Sequence, residues 1–331
     1  MGKRIICNLL YRHLIREEYY ADIRFLTNEE CDRLLGGGDG SGILSHEDCD
    51  LPEVEMAVLQ PFYLKKPFLD KLPALRIAQI TGAGYDTVDL DELRRRKLIL
   101  CNSRGVMSVS IAEDVFSKLL FFTRKLRVVE QDRLEHKWDT FGQNQWMCSC
   151  YEDIYGKTLG IMGCGSIGTQ IAKRAKAFEM KVSVYASSQK ENPYVDAWYV
   201  GPERLKEFYN TCDYIVICLP LNELTRSMIS TEAFAAMKES AVLINVARGP
   251  IVDTKALVHA LQNHEIRAAA LDVFEQEPLP PDSPLWEVEN LFLSSHKAGM
   301  GDSWKGFIGN LIMRNIDHYK KNEPLENSIQ Y

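Results

Sequence analysis

Long apolar runs are missing from this sequence: no uninterrupted stretch approaches the roughly 18 residues that a membrane span needs, and the start, MGKRIICNLL, has no long apolar segment followed by a small-residue cleavage site. A soluble, cytoplasmic protein with no membrane partner is expected. Positive charge is also scarce. Lys plus Arg number 39 against 46 Asp plus Glu, for a net charge of −7, which excludes the clustered basic footprint of a nucleic-acid binder. The nine cysteines are an odd number and lack regular spacing, so reduced thiols are expected rather than a disulfide framework. Cys148 and Cys150 stand one residue apart with no second thiol pair at the spacing structural zinc uses, and no metal site is expected. Nor is the composition that of a disordered chain. With 46% hydrophobic and 26% charged residues it has apolar surface for well-formed cores.

At 331 residues, the usual domain size of about 100 to 200 predicts two domains. Short β-branched runs at residues 4–9, 22–26, 55–59, 75–80 and 97–101 alternate with helical stretches, which predicts a small parallel α/β sheet. The cluster GGGDGSG at 36–42 reads as a flexible surface turn. Residues 106–127 carry apolar side chains at helical spacing and predict one long helix, with Ser108 or Ser110 available to cap it. The polar and aromatic stretch that follows, HKWDTFGQNQWMCSCYEDIYGK, loses periodicity and reads as an irregular arm. From Lys157 a second series brings six strands, TLGIM, KVSVY, DYIVICLP, AVLINVA, RAAALDVF and NLFLSSH, with helices between them. That pattern describes a doubly wound sheet. A last helix at 304–321 places Trp304, Phe307, Ile308, Leu311, Ile312 and Ile316 on one face and is long enough to return to the first domain.

Chemistry concentrates at the ends of the second series. TLGIM runs directly into Gly163, Cys164, Gly165, Ser166, Ile167 and Gly168, and then into a helix. GxGxxG in this strand, turn and helix context lets a pyrophosphate approach a helix N-terminus closely, so Gly163, Gly165, Ser166, Ile167 and Gly168 are expected to hold a dinucleotide. At the end of KVSVY an Asp or Glu would bind the ribose hydroxyls of NAD, but Ala186 stands there. Ser187, Ser188 and Lys190 follow, offering hydroxyl donors and a cation to a 2′-phosphate. NADP is therefore expected in preference to NAD. Beyond three further strand ends stand Arg248, Glu277 and His296. A guanidinium fork for a carboxylate, an imidazole that exchanges protons and a carboxylate that orients the ring suit reduction of a carbonyl beside a carboxylate.

GCGSIG, NVARGPIVDTKALVHAL around Arg248, LDVFEQEPL with Asp272 and Glu277, and the strand ending at His296 together resemble the D-isomer-specific 2-hydroxyacid dehydrogenases, a family that includes glyoxylate/hydroxypyruvate reductases and D-lactate dehydrogenases. The resemblance spans nearly the whole chain. It implies a Rossmann nucleotide domain at 102–296 inserted in a smaller, flavodoxin-like substrate domain made of 1–101 and 297–331. It also implies a homodimer, reduction of a small 2-oxoacid to a D-2-hydroxyacid, a substrate-holding Arg248, and His296 as acid/base with Glu277 behind it. Pro220, Thr225, Ala247 and Asp272 join the expected cofactor contacts. GAGYDTVDL at 82–90 resembles the substrate loop, with the amides of Ala83 and Gly84 facing the substrate carboxylate. Arg104, standing where the family commonly has proline, and Lys297 beside His296 depart from the pattern, and Lys297 is expected to point outward. Two other functions occur on this scaffold. A dinucleotide-sensing corepressor would carry a tryptophan three residues after His296, where Gly299 stands, and a formate oxidiser would place glutamine where Glu277 stands.

Overall fold

The computed structural model describes residues 4–35, 51–138 and 151–331; the glycine cluster at 36–42, Cys148 and Cys150 lie outside the described residues. The chain divides into two units, Met1–Met107 with Asp302–Tyr331, and Ser108–Gly301. The changeovers fall a few residues beyond the expected 101/102 and 296/297. The loop after His296 belongs to the second unit because Asp272 accepts the amides of Lys297 and Ala298, and Gly301 lies so close to Ser110 that a Cβ would meet its Oγ.

In the first unit, β1 (Ile5–Asn8), β2 (Ile23–Leu26), β3 (Met56–Leu59), β4 (Ile77–Ile80) and β5 (Ile99–Cys101) pair in parallel in the order β5-β4-β3-β1-β2. This is the flavodoxin-like order. Strands β1, β3 and β4 are buried at every position, which is why they read as continuous apolar runs instead of alternating ones. Helices α1 (Asn28–Leu34), α2 (Lys66–Asp70) and α3 (Leu90–Arg96) fall between the strands. Helix α1 opens on a capping box: Thr27 Oγ1 accepts from the Glu30 amide and the Glu30 carboxylate accepts from the Thr27 amide.

The second unit begins with a difference from expectation. Instead of one helix there are two, α4 (Ser108–Thr123) and α5 (Leu126–Leu134), separated at Lys125, whose φ is 51°. The Thr123 hydroxyl donates back to the Leu119 carbonyl and the basic pair Arg124-Lys125 interrupts the apolar spacing, so the helix ends there. Ser108 lies within α4 as its first residue. The sheet comprises β6 (Thr158–Met162), β7 (Lys181–Ala186), β8 (Ala197–Val200), β9 (Tyr214–Ile217), β10 (Val242–Asn245), β11 (Ala268–Leu271) and β12 (Leu291–Leu293), with α6 (Ser166–Ala177), α7 (Leu205–Thr211), α8 (Thr231–Ala236) and α9 (Thr254–Gln262) between strands. All pairings are parallel, in the order β12-β11-β10-β9-β6-β7-β8. Six strands were expected and seven are present. The added β8 is a four-residue edge strand, AWYV, too short to announce itself by period. Because β6 has β7 on one side and β9 on the other, the strand order reverses at the carboxyl end of β6, where open α/β sheets bind ligands.

The chain then returns to the first unit through α10 (Ser303–Lys321) and β13 (Ser328–Ile329), which adds to β5 antiparallel. On α10, Ile308, Leu311, Ile312 and Ile316 are buried with Ile5, Cys7 and Val58, and Trp304 packs partly buried against the same cluster. Phe307, expected on that face, is 49% exposed. Burial pushes the thiol of Cys31 up to about 11 and those of Cys101 and Cys212 to about 12. No helix among the described residues is long and apolar enough to cross a membrane.

Candidate active site

The dinucleotide cradle follows from the glycines. Gly163 has a φ of 97°, and a Cβ there would lie 2.9 Å from the Cys218 carbonyl oxygen. A Cβ on Gly168 would lie 2.3 Å from the Gly163 carbonyl oxygen. Only glycine permits this turn. The chain enters α6 at Gly165, whose carbonyl accepts the first intrahelical bond from the Thr169 amide at 3.0 Å. The amides of Ser166, Ile167 and Gly168 thus have no intrahelical acceptor, and with the positive end of a twelve-residue helix behind them they suit a pyrophosphate. Beside this turn Ala186 ends β7, and Ser187, Ser188 and Lys190 are exposed. Residues for a dinucleotide with a 2′-phosphate are present. Thr225, buried, donates from its hydroxyl to the Pro220 carbonyl at 2.7 Å and accepts from the Asn222 amide, so it shapes the loop after β9 while Pro220 stays exposed.

The ionisable set follows from three neighbouring strands. Arg248, Glu277 and His296 stand beyond the carboxyl ends of β10, β11 and β12, which are consecutive in the sheet and together span about 10 Å at the usual strand spacing. Half-buried Arg248 donates to the Ala247 carbonyl at 2.7 Å, and its own carbonyl accepts from the Asn245 side chain at 3.0 Å. At the next residue a Cβ on Gly249 would lie 1.8 Å from the Phe274 carbonyl carbon, so glycine is what lets the loop after β10 press on the loop after β11. In that second loop the Phe274 amide donates to Glu277 Oε1 at 2.9 Å. Glu277 Oε2 lies 2.7 Å from His296 Nδ1. A carboxylate at that position accepts a hydrogen bond from the Nδ1 proton and leaves Nε2 as the ring nitrogen available for chemistry.

Asp272, expected among the cofactor contacts, is engaged with the loop that carries His296. Only 2% exposed, its carboxylate accepts from Ser294 Oγ at 2.6 Å and from the amides of Lys297 and Ala298 at 3.0 and 2.9 Å. Its backbone carbonyl accepts the His296 amide at 2.8 Å. His296 has a φ of 53°, a conformation a non-glycine residue keeps only when its surroundings hold it there. Asp272 is that hold. The signal was in the sequence only as an acid at a strand end; its partners, 22 to 26 residues away, include two backbone amides that no spacing reveals. Lys297 supplies an amide to this arrangement, and its side chain is exposed as expected.

In the first unit, Ala83 and Gly84 lie in the loop after β4, where Asn102 Nδ2 donates to the Ala83 carbonyl at 2.7 Å. The Ser103 amide donates to the Gly82 carbonyl, and Arg104 is exposed, its carbonyl accepting from the Asn327 side chain. No group of three His, Cys, Asp or Glu residues that could hold a metal ion occurs among the described residues.

Residues 116–298 match the family model for the D-isomer specific 2-hydroxyacid dehydrogenase NAD binding domain. The chain is 38% identical over 261 residues to a glyoxylate reductase of Korarchaeum cryptofilum, covering 78% of this chain and 76% of that one. It is 37% identical over 232 residues to a glyoxylate/hydroxypyruvate reductase B of Escherichia fergusonii, covering 69% of each. A D-isomer specific 2-hydroxyacid dehydrogenase family protein of Aeromonas salmonicida superposes with a TM-score of 0.83 at 30% identity over 99% of both chains. The NADPH-dependent glyoxylate/hydroxypyruvate reductase of Sinorhizobium meliloti, solved with citrate, does so with a TM-score of 0.80 at 25% identity over 99% of this chain and 98% of that one. The dinucleotide-sensing alternative draws no support from these relatives. The chain belongs to the D-isomer-specific 2-hydroxyacid dehydrogenase family, and it is an NAD(P)-dependent oxidoreductase.

Proposed function

We propose that the protein reduces a small 2-oxoacid of the glyoxylate or hydroxypyruvate class to the D-2-hydroxyacid, with NADPH preferred to NADH. The observation that carries the reading is the Glu277–His296 pair at 2.7 Å, two strands along the sheet from Arg248. The nicotinamide, when bound, supplies the hydride. His296, with both ring nitrogens protonated for this step, delivers the Nε2 proton to the carbonyl oxygen as charge develops there and is left neutral with its remaining proton on Nδ1, while Glu277 keeps the ring turned for that transfer. Arg248 holds the carboxylate and the polarised carbonyl in its planar fork. The amides of Ala83 and Gly84 are the first unit's candidates for the same carboxylate. Positioning and charge stabilisation supply most of the rate on this account.

The NADPH preference rests on Ala186 in place of an acid and on the exposed Ser187, Ser188 and Lys190, and it agrees with the cofactor of the Sinorhizobium meliloti enzyme. Ala247 and the Pro220–Thr225 loop line the cofactor further along. The net charge of −7 favours a chain free of nucleic-acid partners; a cytoplasmic homodimer completes the reading. Assaying a panel of 2-oxoacids with NADPH and with NADH tests it. NADPH-linked turnover of glyoxylate or hydroxypyruvate is expected, and cofactor binding without oxidation by any 2-oxoacid would overturn it.

A further inference from the structure

Ten residues, 187–196, join β7 to β8 without a helix or strand of their own. They carry Ser187, Ser188 and Lys190, all exposed, and a connection of this kind has no packed face to hold it in place. Asp196 ties down its far end, accepting from the Val182 amide and from Lys176, and a second side chain ties down the part nearer the lysine. Asn192 is half-buried, and both ends of its amide are engaged: Oδ1 accepts from the Tyr194 amide at 3.0 Å, turning the chain toward β8, and Nδ2 donates to Cys164 Sγ at 3.3 Å. The same Nδ2 reaches Thr169 Oγ1 at 3.4 Å, and the sulfur and that hydroxyl lie 3.9 Å apart. Cys164 is the second residue of GCGSIG, and Thr169 belongs to the first turn of α6. Asn192 therefore joins the segment after β7 to the turn that cradles the pyrophosphate.

We propose that Asn192 is a positioning residue for cofactor choice, clasping the Lys190 segment to Cys164 so that the lysine stands ready at the 2′-phosphate. The inference rests on the reading that Lys190 and its serine neighbours receive that phosphate. Lys190 is two residues from Asn192, which limits their Cα separation to about 7 Å. Fixing Asn192 against the glycine turn thus fixes where the long lysine stem begins. A loop ordered before the cofactor arrives loses less freedom on binding, and that gain falls to the group the loop touches. The pyrophosphate meets the glycine turn in either cofactor. Releasing the clasp accordingly weakens NADPH and spares NADH. Sulfur is a weak acceptor, so the tie is modest, and a hydroxyl in its place would serve.

Steady-state constants for both cofactors in a double-mutant cycle test this. Asn192→Ala is expected to raise the KM for NADPH about fivefold, the worth of one hydrogen bond, with NADH changed less than twofold. Cys164→Ala should move in the same direction, and Cys164→Ser, which keeps an acceptor, should restore the parent ratio. Because Asn192 acts through Lys190, Asn192→Ala/Lys190→Ala should match Lys190→Ala alone. Equal losses with the two cofactors, or multiplying losses in the double variant, would overturn the clasp. An unchanged NADPH constant in Lys190→Ala would instead overturn the phosphate reading beneath it, so the two failures are told apart by different variants.

Discussion

His296 sits on a strained backbone, and the cost is met by Asp272, whose carbonyl takes the histidine amide while its carboxylate takes the next two amides and Ser294. Removing the ring and removing its support should therefore look different in kinetics. His296→Ala deletes the proposed proton donor and leaves the glycine turn intact: turnover should fall by about 10²- to 10⁴-fold with the cofactor dissociation constant unchanged, measured by nucleotide fluorescence. Arg248→Lys should raise KM and lower kcat together, because an ammonium cannot reproduce the planar fork; unchanged constants would give the carboxylate to another cation. Ala186→Asp tests charge at the ribose. A carboxylate there repels the 2′-phosphate and accepts the NAD hydroxyls, so the two cofactors should shift relative to each other by about 2 to 4 kcal/mol, read as the ratio of kcat/KM values. Arg248, Glu277 and His296 could be picked out as candidates because each stands within six residues of the end of an apolar strand. Asp272 was legible as a residue, but its hold on the loop that carries His296 was not, since those partners come from a distant stretch of chain. Asn192 was silent for the same reason: a sulfur 28 residues upstream is no pattern along a chain.

Elements are held together by a few polar ties set among apolar faces. Lys118 on α4 is 1% exposed, paired with Asp114 one turn before it and lying 5.6 Å from the Phe292 ring of β12. Burial raises the Asp114 carboxyl in spite of that lysine. Breaking such a pair strands a charge, whereas replacing both partners does not, so Lys118→Met should destabilise by about 3 kcal/mol and Asp114→Leu/Lys118→Met should recover most of it in urea unfolding. Asp213, at the start of β9, accepts from the Thr158 amide of β6 and from Lys238 Nζ, each at 2.8 Å. Burial by itself would raise its carboxyl, but the lysine and the amide together hold it below the usual value. A carboxyl lowered on folding stabilises fully above its unfolded pKa, about 3.9, and that contribution disappears as pH falls through the folded value. Asp213→Asn should thus melt below the parent at pH 7, with the gap closing between about pH 5 and 3. The elements themselves were read from hydrophobic period wherever the apolar run was long. The break at Lys125 and the strand β8 escaped, because a two-residue basic interruption and a four-residue edge strand carry too little period to register.

Across the whole molecule, each unit has its own buried clusters, so neither lacks a core of its own to fold around. Among the apolar side chains that the described chain leaves uncovered, several lie on α5. Leu126, Val128, Val129 and Leu134 are between 45% and 59% exposed, and Trp138 just beyond the helix is 88% exposed. No residue of α5 is buried. Exposed apolar side chains of this kind on a short helix are candidates for the contact that the proposed homodimer needs. Burial of aliphatic side chains yields about 25 cal/mol for each Å² removed from water, so a charge placed among them should be costly to association and nearly free to the fold. Val128→Glu/Val129→Glu should accordingly convert a particle of twice the chain mass to one of a single chain mass at micromolar concentration, with the far-ultraviolet circular dichroism unchanged. Light scattering coupled to size exclusion reads the result. A parent protein of single-chain mass would remove the dimer, and a double variant that stays paired would move the interface off α5.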